Sequence, residues 1–287
     1  MAIANFIPEV WSAALLKSLR DRLTYAQAGV INRNYEGDIA RAGDTVHITN
    51  FVDPAIRPYT KDGTITWDLL TDATQALVVD QSNYFAFKVD DIDKRQALSG
   101  FVEEAATGAA HNLAAAADDF VASLMVAGAD AGNQLGSVVA TTPGDAYEML
   151  VELRGKLTRS NTPDDGRFAV VPPEFYALLL QDDRFIRADA SGTTAGLRNG
   201  QAGRAAGFDV IESNRAPETS IEAGADTAYT LIAGHSSATT YAEQIANTEA
   251  MRLESTFGDG VRGLHLFGAK VIRPTLLATA VVDIDLA

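Results

Sequence analysis

The sequence predicts an α+β protein built around one long helix. Three stretches carry that expectation. Asp90–Gly128 has the spacing of a helix far longer than usual, 45–89 reads as a strand pair of unusual reach, and 238–287 is β-rich. Between them, residues 143–237 alternate helix and strand signals as a compact α/β unit does.

The long helix rests on periodicity. Leu98, Val102, Ala105, Ala109, Leu113, Ala116, Phe120 and Leu124 recur at steps of three and four, the repeat of one helical face. Asp90, Asp91 and Asp93 sit where the positive end of the helix dipole would fall, and Gly128 supplies a stop. Some 35 helical residues would span roughly 50 Å. Most of the middle of the stripe is alanine, so whatever packs there comes close. Glu103, Glu104, His111, Asp118 and Asp119 interrupt any apolar run long enough to cross a bilayer.

Ahead of the helix, residues 1–28 read as an amphipathic arm, with Pro8 in a first turn and Trp11, Leu15, Leu16, Leu19 and Leu23 at helical spacing. An arm placed before any core is expected to pack outside its own domain as readily as on it. Thr45–Phe51 alternates as a strand and Gln75–Val89 as a longer one. Between them lie the breakers Asp53-Pro54, Arg57-Pro58 and Lys61-Asp62-Gly63. A hairpin anchored only by Ile56, Tyr59, Ile65 and Trp67 has little core of its own. It is expected to lie on a neighbouring subunit, and Trp11, Pro54, Arg57, Tyr59, Lys61 and Trp67 are the candidate contacts between subunits.

After the helix, residues 129–141 look like a small-residue connector. Thr142-Pro143-Gly144-Asp145 has the spacing of a capping box, with Asp in the place of Glu or Gln, and opens a helix through Leu157. A turn at Asn161–Gly166, a strand at Phe168–Val171 and a helix from Pro172-Pro173 follow. Residues 188–207 are rich in Gly, Ser and Thr. Phe208–Ile211 and Thr227–Ile232 read as strands, as do Gly263–Ile272 and Thr275–Ile284. Residues 237–256 fit helix or strand equally.

Composition bounds the function. The 287 residues are 47% hydrophobic and 21% charged, an ordinary globular balance, and contain no cysteine. Disulfides, thiolate zinc sites and cysteine nucleophiles are therefore excluded. The N-terminus lacks a basic stretch, an unbroken apolar run and a cleavage site, so no leader is expected and the protein should be made and kept in a cytoplasm. Net charge is −15, and residues 72–148 carry 3 basic against 12 acidic side chains. Gripping nucleic acid needs clustered Lys and Arg, so that mode is excluded.

Chemistry finds little support. His47, His111, His235 and His265 share no metal-ligand spacing and read as structural or surface histidines. Gly234-His235-Ser236-Ser237 is no nucleophile elbow, and Gly196, Gly200, Gly203 and Gly207 match no phosphate loop. The groups Asp90, Asp91, Asp93 and Asp118, Asp119 read as helix capping and a solvated face, with a divalent cation as the weaker alternative. No cofactor or metal is expected.

The order of parts resembles the major capsid protein of tailed bacteriophages with the Hong Kong 97-type fold. FIPEVWSAALLKSLRDRL, GVINRNYEGDIARAGDTVHI, GRAAGFDVIESNRAP and GLHLFGAKVIRPTLLAT resemble the podovirus coat-protein group, over essentially the whole chain. The resemblance implies an N-terminal arm at 1–44, an extended E-loop hairpin at 45–89, and a long spine helix with peripheral domain at 90–142. It further implies an axial domain at 143–237 and a C-terminal return into the peripheral domain at 238–287. It implies no enzyme, but pentamers and hexamers closing into an icosahedral shell around double-stranded DNA held without specific binding. It also implies a separate scaffolding protein, a portal protein and assembly in the bacterial host cytoplasm, with no membrane. Some relatives cross-link an E-loop lysine to a neighbour; Lys61 is the only lysine at this hairpin's tip, and no partner motif is recognisable. An encapsulin-type nanocompartment shell is the alternative of like architecture, and a soluble hydrolase with a carboxylate pair is the alternative of another class.

Overall fold

The computed structural model describes residues 23–34, 45–51, 56–59, 61, 67, 72–90, 101–140, 142–182, 203–220, 227–252 and 258–284. Trp11, Pro54, Asp91 and Asp93 lie outside them, as does most of 188–207.

Helix α1 runs from Phe101 to Gly128, about 42 Å at 1.5 Å per residue. Asp90 is the last residue of a strand, so the helix does not begin there. Its buried face is Ala110, Leu113, Ala114, Ala117, Asp118, Val121, Ala122 and Met125. Against the expected stripe this face is turned by about one residue: Ala109, Ala116, Phe120 and Leu124 flank it half-buried. Alanine on nearly every side of the helix gives no contrast in size, and two adjacent rotations fit the period equally. The large partners decide, since Tyr25, Ile31, Tyr241 and Phe267 fill the same core as α1.

Strands β1 (Thr45–Phe51) and β2 (Asp72–Val78) form the expected hairpin, in register from Thr45 opposite Val78 to Phe51 opposite Asp72. The single strand expected over Gln75–Val89 is two. After Val79 and Asp80 the chain enters β3 (Gln81–Asp90), which pairs with a different partner. The crossing depends on Gly268, where a Cβ would stand 2.5 Å from the Val78 carbonyl oxygen. No other residue lets β2 pass so close.

Beyond α1, the expected connector contains a strand. Asp130 caps a short 3-10 turn at Ala131–Asn133, and β4 (Gln134–Ala140) follows. Its partner β12 is remote in sequence and parallel, so no local signal marks it. Helix α2 (Pro143–Arg159) carries the anticipated capping box: the Thr142 amide donates to Asp145 Oδ2 at 2.9 Å and the Asp145 amide to Thr142 Oγ1 at 3.4 Å. Strand β5 (Arg167–Val171) and helix α3 (Pro173–Gln181) complete the helix–strand–helix unit.

The remaining strands are β6 (Arg204–Ala205), β7 (Phe208–Glu212), β8 (Glu218–Ser220), β9 (Thr227–His235), β10 (Thr239–Arg252), β11 (Gly258–Val271) and β12 (Leu277–Ile284). The undecided stretch is therefore strand. The order β10-β11-β3 makes an antiparallel sheet of three. The order β4-β12-β9-β5-β7-β6, with β8 on β9, makes a mixed sheet of seven. The 238–287 segment thus divides, β10 and β11 going to the small sheet and β12 to the large one.

Strand β5 is buried at every residue because both of its faces are covered. Phe168 and Val170 point into the core of α1 and the small sheet. Ala169 and Val171 point into a second core with Leu150, Leu153, Phe175 and Leu179 of α2 and α3. One sheet therefore joins the long helix to the α/β unit.

Candidate assembly surfaces

The hairpin loop presents apolar side chains to solvent. Ile56 is 100% exposed, Trp67 87% and Tyr59 74%. Arg57, Pro58 and Lys61 are exposed beside them. Exposed single hydrophobics are ordinary, but two aromatics and an isoleucine exposed on one loop are not. Of the six residues singled out from the sequence, the structure brings Arg57, Tyr59, Lys61 and Trp67 to this loop; Pro54 and Trp11 are the two beyond description.

A second exposed apolar surface was not foreseen. On the small sheet, alternation turns Ser82, Tyr84, Ala86 and Lys88 of β3 outwards, with Gln81, Asn83, Phe85 and Phe87 on the other side. Register sets Tyr84 beside Leu264 and Ala86 beside Arg262, and Glu249 and Met251 of β10 complete the rows. Tyr84 is 78% exposed, and Met251 and Leu264 are also open. Leu77 and Val79 of the hairpin root cover the next position, Leu266. The ledge left open carries two shallow grooves of about 300 and 530 Å³. The sequence hid it because β3 carries apolar residues at both parities: Phe85 and Phe87 face in, Tyr84 and Ala86 face out.

The base of the N-terminal arm is fastened by two buried carboxylates on different elements. Asp118 of α1 accepts the amide N–H groups of Thr24 (2.8 Å), Tyr25 (3.0 Å) and Ala26 (3.0 Å). Asp118 is therefore neither on a solvated face nor placed to hold a cation. Burial pushes its carboxyl up and outweighs the three amide donors that pull it down. Burial likewise raises the Tyr25 hydroxyl, with Asp118 and Asp119 adding to the shift. Neighbouring Asp119 points outwards to Arg215, 2.9 Å away.

Glu243 of β10 is the second anchor. Arg33 donates to its Oε1, and Tyr241 donates its hydroxyl to Oε2 at 2.8 Å. His265 Nε2 lies 3.4 Å from the same Oε2. Burial alone would raise this carboxyl. The His265 hydrogen bond, the Arg33 charge and the Tyr241 hydroxyl overcome it and hold the group at about 2. Arg33 also stacks over the Tyr241 ring at 5.3 Å and donates to the Ala26 carbonyl at 3.1 Å. Paired like this, a buried carboxylate fixes geometry.

Among the described residues no chemistry collects elsewhere. His111 is exposed on α1, and His235 Nδ1 is bound to Ser237, with its amide at 3.2 Å. Among the described residues no three His, Asp or Glu side chains are grouped to hold a metal ion, and no helix is long and apolar enough to cross a membrane.

The phage capsid protein family matches residues 71–280. A solved structure from Mycobacterium phage Che8 is 32% identical, with 98% of each chain covered and a TM-score of 0.72. The capsid structure of cyanophage P-SCSP1u is 14% identical, covering 92% of this chain and 89% of that one, with a TM-score of 0.69. A virus-like particle from Pyrococcus furiosus is 12% identical, covering 96% and 99%, with a TM-score of 0.51. These last two likenesses concern the fold alone. Curated protein sequences give no match. Family match and a near full-length relative at 32% identity lead to one conclusion: the chain belongs to the phage capsid protein family and is a tailed-bacteriophage major capsid protein.

Proposed function

We propose that this chain assembles into pentamers and hexamers that close an icosahedral shell around double-stranded DNA. The observation that carries the reading is the hairpin loop, where Ile56, Tyr59 and Trp67 are each about three-quarters exposed or more. A monomer gains nothing from such a loop, whereas a subunit that lays it on a neighbour buries all three. In the terms of the Hong Kong 97-type fold, β1 and β2 with their loop are the E-loop and α1 is the spine. The small sheet belongs to a peripheral domain, and α2, α3 and most of the large sheet to an axial domain. The role is structural, without catalysis or cofactor.

The charge supports enclosure without binding. A wall of net charge −15 repels a polyanion and leaves it mobile inside. Scaffolding and portal proteins are the expected partners, with assembly in the host cytoplasm. Negative-stain microscopy of the purified full chain, alone and co-expressed with the scaffolding protein of its phage, tests the proposal. Closed shells or hexamer-sized rings are expected, and a strictly monomeric particle under both conditions overturns it. An encapsulin-type shell would close without any scaffold and hold protein cargo in place of DNA.

A further inference from the structure

We propose that the hairpin has two seatings on the small sheet of its own chain, one lowered and one raised, and that Lys270 is the positioning residue that selects the lowered one seen here. The shell reading above gives the seatings their use, since the angle at which the hairpin leaves the body decides where its loop is presented. The seatings themselves belong to the free subunit.

The hairpin is held thinly at its root. Among the described residues β1 and β2 pair only with each other. Half of the N–H and C=O groups of β2 therefore point away from β1. Lys270 Nζ of β11 donates to the Ala76 carbonyl at 2.7 Å, and Gln75 Nε2 donates to the Ile272 carbonyl at 3.4 Å. Leu77 and Val79 pack on Ala242 and Leu266. The close pass is at Gly268, where a Cβ would stand 2.5 Å from the Val78 carbonyl oxygen and 2.9 Å from the Val79 Cα.

The face beneath the root is left unsatisfied by this seating. Register sets Thr240 opposite Lys270, Ala242 opposite Gly268 and Gln244 opposite Leu266, so the six share that face. The Thr240 hydroxyl and Gln244 Oε1 are buried there, and neither has a hydrogen-bond partner among the described residues. Buried polar atoms without a partner are rare in folded proteins. A root raised off Gly268 serves both. Lys270, released from Ala76, reaches the hydroxyl directly opposite it, and Gln244 Oε1 regains a donor from the open edge of β2 or from solvent. Each seating satisfies atoms that the other leaves open, the condition for two states close in free energy.

The chain has no cysteine, so two can be placed for nitroxide labels. Thr49→Cys lies on β1, on the side that alternation shares with exposed Val78, and His111→Cys on the exposed side of α1. Pulsed electron–electron double resonance on the unassembled full-length chain reads the distance between them. Two populations are expected. Lys270→Met keeps the stem and drops the ammonium, and Gly268→Ala forbids the close pass. Each should raise the second population several-fold, and Lys270→Arg should restore the first. Thr240→Val with Gln244→Leu removes the atoms that the raised seating serves and should leave one population. A single distance common to the wild type and to every variant with unchanged circular dichroism overturns the two seatings. Two populations that Lys270→Met leaves in wild-type proportion overturn the role of Lys270. Where Lys270→Met or Gly268→Ala fails to fold, the other decides. No outcome here touches the shell reading, which fails only by microscopy of the assembled chain.

Discussion

Glu243 holds the arm base through charge, and its pH dependence follows from that. Its carboxyl falls from 4.5 to about 2 on folding. A depressed carboxylate contributes stability that is complete above its unfolded value and is lost as pH falls towards its folded value. The window is therefore from about pH 4.5 down to about pH 2, and the shift corresponds to something on the order of 3 kcal/mol. Urea unfolding from pH 6 to pH 2 should show this loss in the wild type and little of it in Glu243→Gln. At neutral pH that variant should already be less stable by about 3 kcal/mol, because Arg33 then loses the Glu243 carboxylate. Asp118 acts in the opposite sense. Its raised carboxyl contributes fully below its unfolded value and less as pH rises through its folded one. It is common to both proteins and cancels in the difference. Its own test is a pair of substitutions. Asp118→Ala strands three amide donors and should cost about 1–3 kcal/mol. Asp118→Asn keeps the oxygen that accepts from Tyr25 and Ala26 and should cost less. Amide exchange at residues 24–26 should rise in the order wild type, Asn, Ala; equal protection in all three would show that Asp118 does not hold the arm.

The long helix and the hairpin were legible from the sequence because each depends on a local period. The capping box at Thr142 and Asp145 was legible because its two bonds join residues three apart. The rotation of α1 was not, since a run of alanines looks alike from two adjacent angles and only Tyr25, Tyr241 and Phe267 distinguish them. Asp118 looked solvated because its partners are backbone amides more than ninety residues away. The strand within the connector and the break at Val79–Asp80 were hidden for a similar reason, their partners β12 and β11 being remote. The ledge escaped notice because Tyr84 and Phe85 are adjacent apolar residues on opposite faces. The observed rotation makes a sharp prediction. Ala117 is fully buried, Ala116 half-buried and Ala127 exposed. Ala117→Leu should therefore destabilise by about 1–3 kcal/mol through overpacking. Ala116→Leu should cost less, and Ala127→Leu should stay within about 0.5 kcal/mol. Thermal melts that rank Ala116→Leu as the worst would restore the rotation expected from the sequence.

For the molecule as a whole, folding and assembly draw on different residues. The cores gather buried side chains from α1, α2, α3 and the two larger sheets, and neither contains a described residue of the hairpin loop. Ile56, Tyr59 and Trp67 are exposed, so removing them forfeits almost no buried surface. The loop can also be cut without breaking its hairpin. Deleting residues 54–67 leaves 52, 53 and 68–71 between Phe51 and Asp72, which are already cross-strand partners. A connection of that length lies within the usual range. The shortened subunit should keep its melting temperature to within a few degrees, a change of under about 1 kcal/mol. Its net charge stays strongly negative, so it should remain soluble as it loses the ability to associate. Sedimentation and negative-stain microscopy after co-expression with scaffolding protein should then find folded subunits and no shells. If full-sized shells form without the loop, the contacts between subunits lie elsewhere, and the exposed aromatics need another explanation.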